Sequence, residues 1–324
     1  MKEKMRTRKP VSKGVLVELK RFEARFLSVI GASASDISEP CVKVVEAGGK
    51  RLRPALVIIC ASLGNKTNSE ELFLSAMGVE LIHLASLVHD DILDAAKTRR
   101  GVPTINESYG EKQAILIGDY LFGLSFQLLS DCGNNSLITP LASASLFLSE
   151  GELRQRRDLR RLDQSVHDYL DRIYAKTAAL FEASCSMGAI IGGLSSVDQE
   201  RLREYARGLG IAFQIFDDIL DFTGDEKVLG KPTGNDIREG TVTLPMIFAL
   251  EKNCLELAEA IDDPAQEKVE EAVVAVKRCG AIEQARSLAK EYVEKAEAAA
   301  GNLRESQGKK DLISLGKFVI DRYH

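Results

Sequence analysis

The acidic run Asp-Asp-Ile-Leu-Asp occurs twice, at positions 90–94 and 217–221, and each copy follows a strongly apolar stretch. At about 100° per residue on a helix, His83, Asp90 and Asp94 fall within roughly 40° of one another, with Asp91 at the edge of that stripe. Gln214, Asp217, Asp218 and Asp221 share one stripe of the second helix, after apolar Ile211, Phe213 and Ile215. Carboxylates crowded onto one helical turn repel, and beside apolar surface they are costly unless a cation neutralises them. Two such helices facing each other make an acidic cleft. Hard oxygen donors suit Mg²⁺, which keeps several waters and bridges one or two carboxylates to phosphate groups. A solvated acidic face is the plain alternative for a single run. An identical run on two apolar helices argues against it.

Elsewhere apolar residues recur at three- and four-residue spacing, and β-branched residues do not alternate. The pattern predicts an all-α chain, with helices over 14–31, 36–47, 54–63, 69–95, 111–131, 136–160, 166–191, 198–222, 243–260, 265–279, 281–301 and 309–322. No linker rich in Pro, Gly or Ser divides it, so residues 1–324 read as one domain, with 1–12 as a flexible tail. The net charge of −5 gives no basic bias of the kind nucleic-acid binding needs. The six cysteines are scattered without a Cys-x-x-Cys pair, and read as small buried residues of a reducing, cytoplasmic setting. No run of 18 apolar residues predicts a membrane span, and the basic N-terminus lacks the apolar stretch of a signal peptide.

Cations accompany the acids. Gly48-Gly49-Lys50-Arg51-Leu52-Arg53-Pro54 joins a flexible pair to three bases, with Pro54 suited to the first position of the next helix. Backbone N–H groups there, with Lys50 and Arg53, suit one anion. Lys97-Thr98-Arg99-Arg100-Gly101 follows the first acidic run closely, and opposite signs so near suggest a shared polyanion with metal between. Each loop has a bland alternative, a surface basic turn or a salt-bridge network.

The run from Glu80 through His83 and Asp90-Asp91-Ile92-Leu93-Asp94 to Arg99-Arg100-Gly101 and Pro103 resembles the first aspartate-rich motif of the trans-prenyltransferases, the polyprenyl diphosphate synthases. Gly48 to Pro54, Lys176-Thr177, Phe213-Gln214 with Asp217 to Asp221, and Gly230-Lys231-Pro232 match the family's other motifs in the family's order. The resemblance covers nearly the whole chain. It implies antiparallel helices around a deep central cavity, usually in a homodimer, and condensation of isopentenyl diphosphate with an allylic diphosphate such as farnesyl or geranylgeranyl diphosphate. It implies three Mg²⁺ ions: Asp90 and Asp94 would hold two and Asp217 a third, with Asp91, Asp218 and Asp221 ligating through water or supporting them. Arg99, Lys176, Gln214 and Lys231 would contact the allylic diphosphate, with Thr177 adding a dipole. Lys50, Arg53, His83 and Arg100 would bind isopentenyl diphosphate. His89 reads as structural.

Product length should be set below Asp90. Ala85 and Ser86, both small, resemble the pairing of the long-chain enzymes, and the helical wheel puts Ser86 beneath Asp90 with Ala85 to its side. Phe122 and Phe126 are candidates for a floor, or are simply core. One departure is Thr241, which follows Arg238-Glu239-Gly240 where the family usually has a lysine, so one contact of the expected lid over 223–240 is in doubt. Arg154, Arg156, Arg157, Arg160 and Arg161 would suit an anionic surface, but Glu152, Asp158 and Asp163 among them favour a solvated face; peripheral membrane contact is left to product release.

The alternatives are a short-chain (farnesyl or geranylgeranyl) synthase, a di-iron helical protein built on Glu80-x-x-His83, a terpene cyclase and a non-catalytic partner subunit. The second would need another Glu-x-x-His pair. The third would carry Asn, Ser or Thr and Glu in its second motif, and the fourth tends to lose aspartates; this chain keeps all six.

Overall fold

The computed structural model describes residues 10–32, 35–66, 68–224 and 233–321. Most of the expected tail and the lid segment with Lys231 and Pro232 lie outside the described residues. Ser12 is described, and its N–H and hydroxyl donate to the two carboxylate oxygens of Asp311 at 2.8 and 2.7 Å, so the tail is anchored at its last residue.

Helices α1 (Lys13–Gly31), α2 (Ser35–Glu46), α3 (Leu52–Ala61) and α4 (Ser69–Leu93) open the chain. A small antiparallel hairpin follows, β1 (Thr98–Arg99) and β2 (Val102–Pro103), with Arg99 opposite Val102. Its two turn residues, Arg100 and Gly101, have φ of 54° and 80°, the positive pair that a tight two-residue hairpin demands. Then come α5 (Ile105–Tyr109), α6 (Glu111–Asp131), α7 (Ile138–Arg157), α8 (Val166–Ile173), a π turn (Tyr174–Ala178), α9 (Ala179–Gly192) and α10 (Ser196–Thr223). Helices α11 (Asn235–Glu239), α12 (Leu244–Leu250), α13 (Leu255–Asp262), α14 (Gln266–Arg278), α15 (Ala281–Gly301) and α16 (Gln307–Asp321) complete it.

The periodicity locates most helices within a few residues, and it misses a π turn, one break and one start. Residues 166–192 run helically without a gap as expected, but the π turn within them inserts a residue that a repeat of three and four does not record. The stretch 243–260 divides where Asn253 takes a left-handed conformation, φ 58°. Helix α3 begins at Leu52 after Arg51, itself at φ 46°, so Pro54 is the third helical residue rather than the first. Proline is harmless there, since the N–H groups of a first turn have no partner within the helix.

Helix α4 shows how sequence becomes position. Asn68 caps it by accepting from the N–H groups of Glu70 and Glu71, which also set negative charge on the positive helix end. By length and composition α4 is apolar enough to cross a membrane, yet 72% of its most apolar window is buried inside the protein. It is a core helix, and its large side chains contribute about 1.5–3 kcal/mol each by burial. Its first turn and its last turns, which carry the first acidic run, meet solvent.

Two apolar cores flank the site. One joins α9 and α10 to α12–α16, and the other joins α1 and α4 to α6 and α7. At Gly188 of α9 a Cβ would lie 2.4 Å from the Val57 carbonyl oxygen and 2.7 Å from Cys60 Cβ, so α9 and α3 meet backbone to backbone. At Gly210 of α10 a Cβ would lie 2.6 Å from Ala178 Cα, which seats the π turn on α10. These approaches bring the loop before α3, the π turn and the second acidic run around one cavity. All six cysteines are free; Cys41, Cys60, Cys185 and Cys254 are buried.

Candidate active site

A cavity of about 780 Å³ lies between the cores. Asp90 from α4 and Asp217 from α10 both line it, so the two acidic runs do face a common space. Burial, above all, pushes Asp90 up to about 6; Lys176 and Arg99 oppose the rise, and Glu152 and Asp94 add to it. Asp94, expected on the same stripe, lies just past the end of α4 outside the cavity lining and accepts from Arg156 Nη2 at 2.5 Å.

The remaining acids do not share this stripe. Asp91 is buried and accepts from Arg99 Nε and Nη2, each at 2.8 Å. Asp218 is buried against α8, accepts from the Tyr169 hydroxyl at 2.6 Å and from Gln214 Nε2 at 2.8 Å, and is pushed up to about 7 by that burial. Asp221 accepts from the backbone N–H groups of Asn235 and Asp236 at 3.2 and 3.1 Å, holding the start of α11. The wheel places these side chains on one arc of α10, but a helix wrapped on several sides turns one edge of that arc to the cavity and the other to its neighbours. In each run one aspartate lines the cavity and others hold the wall.

The same cavity also gathers cations. Lys50, Arg53, Arg100 and His83 line the cavity together. Arg53 Nε has no partner, its guanidinium lies 5.0 Å from the Phe181 ring centroid, and burial pushes it down to about 10. Burial, then the guanidinium groups of Arg53 and Arg100, push His83 well below the usual imidazole range, so it is neutral. Arg51, between these bases, also borders the cavity but is spent on protein partners: buried, it bonds Glu80 at 2.7 Å and Glu23 at 2.8 Å and fixes the loop. Glu80 is thus a structural counter-ion and His83 sits among cations, which removes the di-iron pair. A gathering of cations with an unpartnered guanidinium calls for an anion.

Lys176 and Thr177 lie on the π turn, a geometry that recurs at functional sites. Lys176 Nζ donates to Glu152 at 2.7 Å; burial works against its charge, but Asp90 and Glu152 outweigh it. The Thr177 hydroxyl donates to Gln214 Oε1 at 2.7 Å, so Thr177, Gln214, Asp218 and Tyr169 form one chain of hydrogen bonds.

Ala85 and Ser86 both line the cavity, and the Ser86 hydroxyl donates back to the His83 carbonyl, leaving a small side. Phe122 lines it too. Phe126 is half-buried behind Phe122, with ring centroids 5.4 Å apart, and packs into the α4–α6 core rather than the cavity. His89 bonds the Ile115 carbonyl at 3.3 Å. The arginine ladder is largely spent on protein partners: Arg157 and Arg161 on Asp158, Arg160 on the carbonyls of Ile261 and Asp262. Sequence reasoning missed Glu152, Arg156 and Tyr169. Only Glu152 carried a signal, as an acid beside the close-packed Gly151.

Carboxylate oxygens on a partly desolvated wall, one of them with raised proton affinity, fit hard divalent cations. Among the described residues no three His, Cys, Asp or Glu side chains converge on one point, so an ion here would take its other oxygens from substrate and water, as Mg²⁺ does.

One cavity lined by Asp90, Asp217, Lys50, Arg53 and Arg100 in an almost wholly helical chain is the arrangement of an isoprenoid-synthase fold. The chain belongs to the polyprenyl synthetase family, whose sequence profile matches residues 34–278. It is 39% identical over 281 residues to heptaprenyl diphosphate synthase component 2 of Geobacillus stearothermophilus, covering 86% of this chain and 88% of that one. It is 31% identical to octaprenyl diphosphate synthase of Escherichia coli, over 92% and 94% of the two chains. The crystal structure of heptaprenyl diphosphate synthase from Staphylococcus aureus superposes with a TM-score of 0.91 at 32% identity, over 96% of this chain and 99% of that one.

Proposed function

We propose that this protein condenses isopentenyl diphosphate head-to-tail with an allylic diphosphate, releasing diphosphate and building a long-chain all-trans polyprenyl diphosphate. The observation that carries the reading is the pairing of Asp90 and Asp217 with Lys50, Arg53 and Arg100 in one cavity.

Asp90, Asp94 and Asp217 would hold up to three Mg²⁺ ions, which supply charge stabilisation to the departing diphosphate. Lys176 and Gln214, with Lys231, would contact the allylic diphosphate, and Arg99 would join them from its place on Asp91. Lys50, Arg53, Arg100 and neutral His83 hold isopentenyl diphosphate so that its double bond faces the allylic carbon. As the allylic C–O bond breaks, the Phe181 and Phe213 rings, 5.7 Å apart at the cavity wall, face the developing cation. The double bond attacks, and a proton is lost to the departed diphosphate. The tail grows past Ala85 and Ser86 toward Phe122.

Exposed apolar side chains on α6 and α7, among them Leu116 (67%), Leu146 (67%) and Leu153 (72%), support a homodimer through that face, checked by sedimentation. Free thiols fit a cytoplasmic location, with peripheral membrane contact to release the lipid product. The test is incubation with Mg²⁺, isopentenyl diphosphate and farnesyl diphosphate, followed by product sizing. Absence of elongation overturns the reading, and a product one unit longer than the primer overturns its long-chain part.

A further inference from the structure

We propose that Arg156 is an internal counter-ion to the first acidic run, keeping divalent-metal affinity low in the free enzyme so that metal loads together with diphosphate. The inference rests on reading the cavity as a metal and diphosphate site.

Arg156 stands in the last turn of α7. Its Nη2 donates to Asp94 Oδ1 at 2.5 Å and its Nε to Glu152 Oε1 at 2.8 Å. The other Glu152 oxygen accepts from Lys176 Nζ at 2.7 Å. Glu152 therefore steers two cations onto one acidic run, Arg156 against Asp94 and Lys176 toward Asp90. Among the five arginines of its segment, Arg156 is the one bonded to an acidic run, while Arg154 reaches only Glu150 at 3.5 Å.

A guanidinium on Asp94 Oδ1 places a positive charge where a metal ion would place its own, so the two compete for the same carboxylate. An ion on Asp94 meets the Arg156 charge unless that side chain swings away, and the apparent affinity falls by the population of the open arrangement. The pair is openable, because the Arg156 and Asp94 side chains are 33% and 30% exposed. Diphosphate offers the displaced fork a bidentate partner of higher charge. The same residue thus opposes metal alone and favours metal with diphosphate, and by linkage each ligand strengthens the other.

The test is a Mn²⁺ titration of the full chain followed by electron paramagnetic resonance, without diphosphate, for wild type, Arg156→Gln and Arg156→Lys. Arg156→Gln should bind Mn²⁺ about tenfold more tightly, the equivalent of one displaced charge-assisted contact. Arg156→Lys should fall between, and guards against a loss of fold in the first variant. In an Asp94→Asn background the Arg156→Gln gain should vanish. Unchanged or weaker Mn²⁺ binding in Arg156→Gln, or a gain that persists without Asp94, overturns the inference even where wild type elongates normally. A wild type that neither binds Mn²⁺ nor elongates overturns the underlying reading instead.

Discussion

Replacing Asp90 by Asn should stabilise the metal-free protein while disabling it. Burial lifts this carboxyl from 3.8 to about 6. A group whose folded pKa lies above its unfolded value favours folding below pH 3.8, and that contribution is lost as the pH rises through about 6. At pH 8 the ionised carboxylate therefore burdens the fold by up to about 3 kcal/mol. Asparagine has nearly the same shape and no charge. Lys176 loses one of its three supporting acids, Asp90, Glu152 and Asp94, in the variant and returns part of the gain, leaving about 1–2 kcal/mol. The assay is urea unfolding in a chelator at pH 8 and pH 5, where the gap should shrink to about half because the wild-type carboxyl is then largely protonated. Elongation at saturating Mg²⁺ should fall about a thousandfold, several kcal/mol of lost charge stabilisation. A variant no more stable than wild type at pH 8, or a gap that ignores pH, would refute the argument that this wall is held under electrostatic load.

Three further outcomes are expected. Ala85→Phe should shorten the product, read by sizing the chains made from farnesyl diphosphate; unchanged length would remove Ala85 from the tunnel. Tyr169→Phe should cost about 1–3 kcal/mol by leaving a buried acceptor of Asp218 short of a donor, and should raise the KM for the allylic diphosphate through Gln214 while leaving that for isopentenyl diphosphate unchanged. Gly188→Ala should cost about 1–3 kcal/mol in unfolding experiments, because the new methyl has backbone on its far side.

Helices were legible because burial imposes a repeat, and α6 and α15 fall where the repeat puts them, at Glu111–Asp131 and Ala281–Gly301. The site was legible as residue types: Lys50, Arg53, Asp90 and Asp217 do meet. What the wheel could not give was the division of labour within each acidic run. Asp217 and Asp218 differ by one position, and the neighbouring Tyr169, contributed from α8, helps decide which is held in the wall and which lines the cavity. Partners of that kind are far apart in sequence and leave no periodic trace. The hairpin at Arg100-Gly101 was equally hidden, since four strand residues are too few to alternate.

In a helix one extra residue is a rotation. The residue inserted by the π turn sets α8 about 100° out of phase with the direction it would have as a plain continuation of α9. In that phase Tyr169 meets Asp218 and Arg172 reaches the Val242 carbonyl at 2.5 Å. Deleting a single residue between Tyr174 and Ala178 would restore an unbroken helix, a locally favourable change, and would swing both side chains out of reach. The enzyme's second acidic wall is thus indexed by an insertion, and a shorter, more regular chain would be the less functional one.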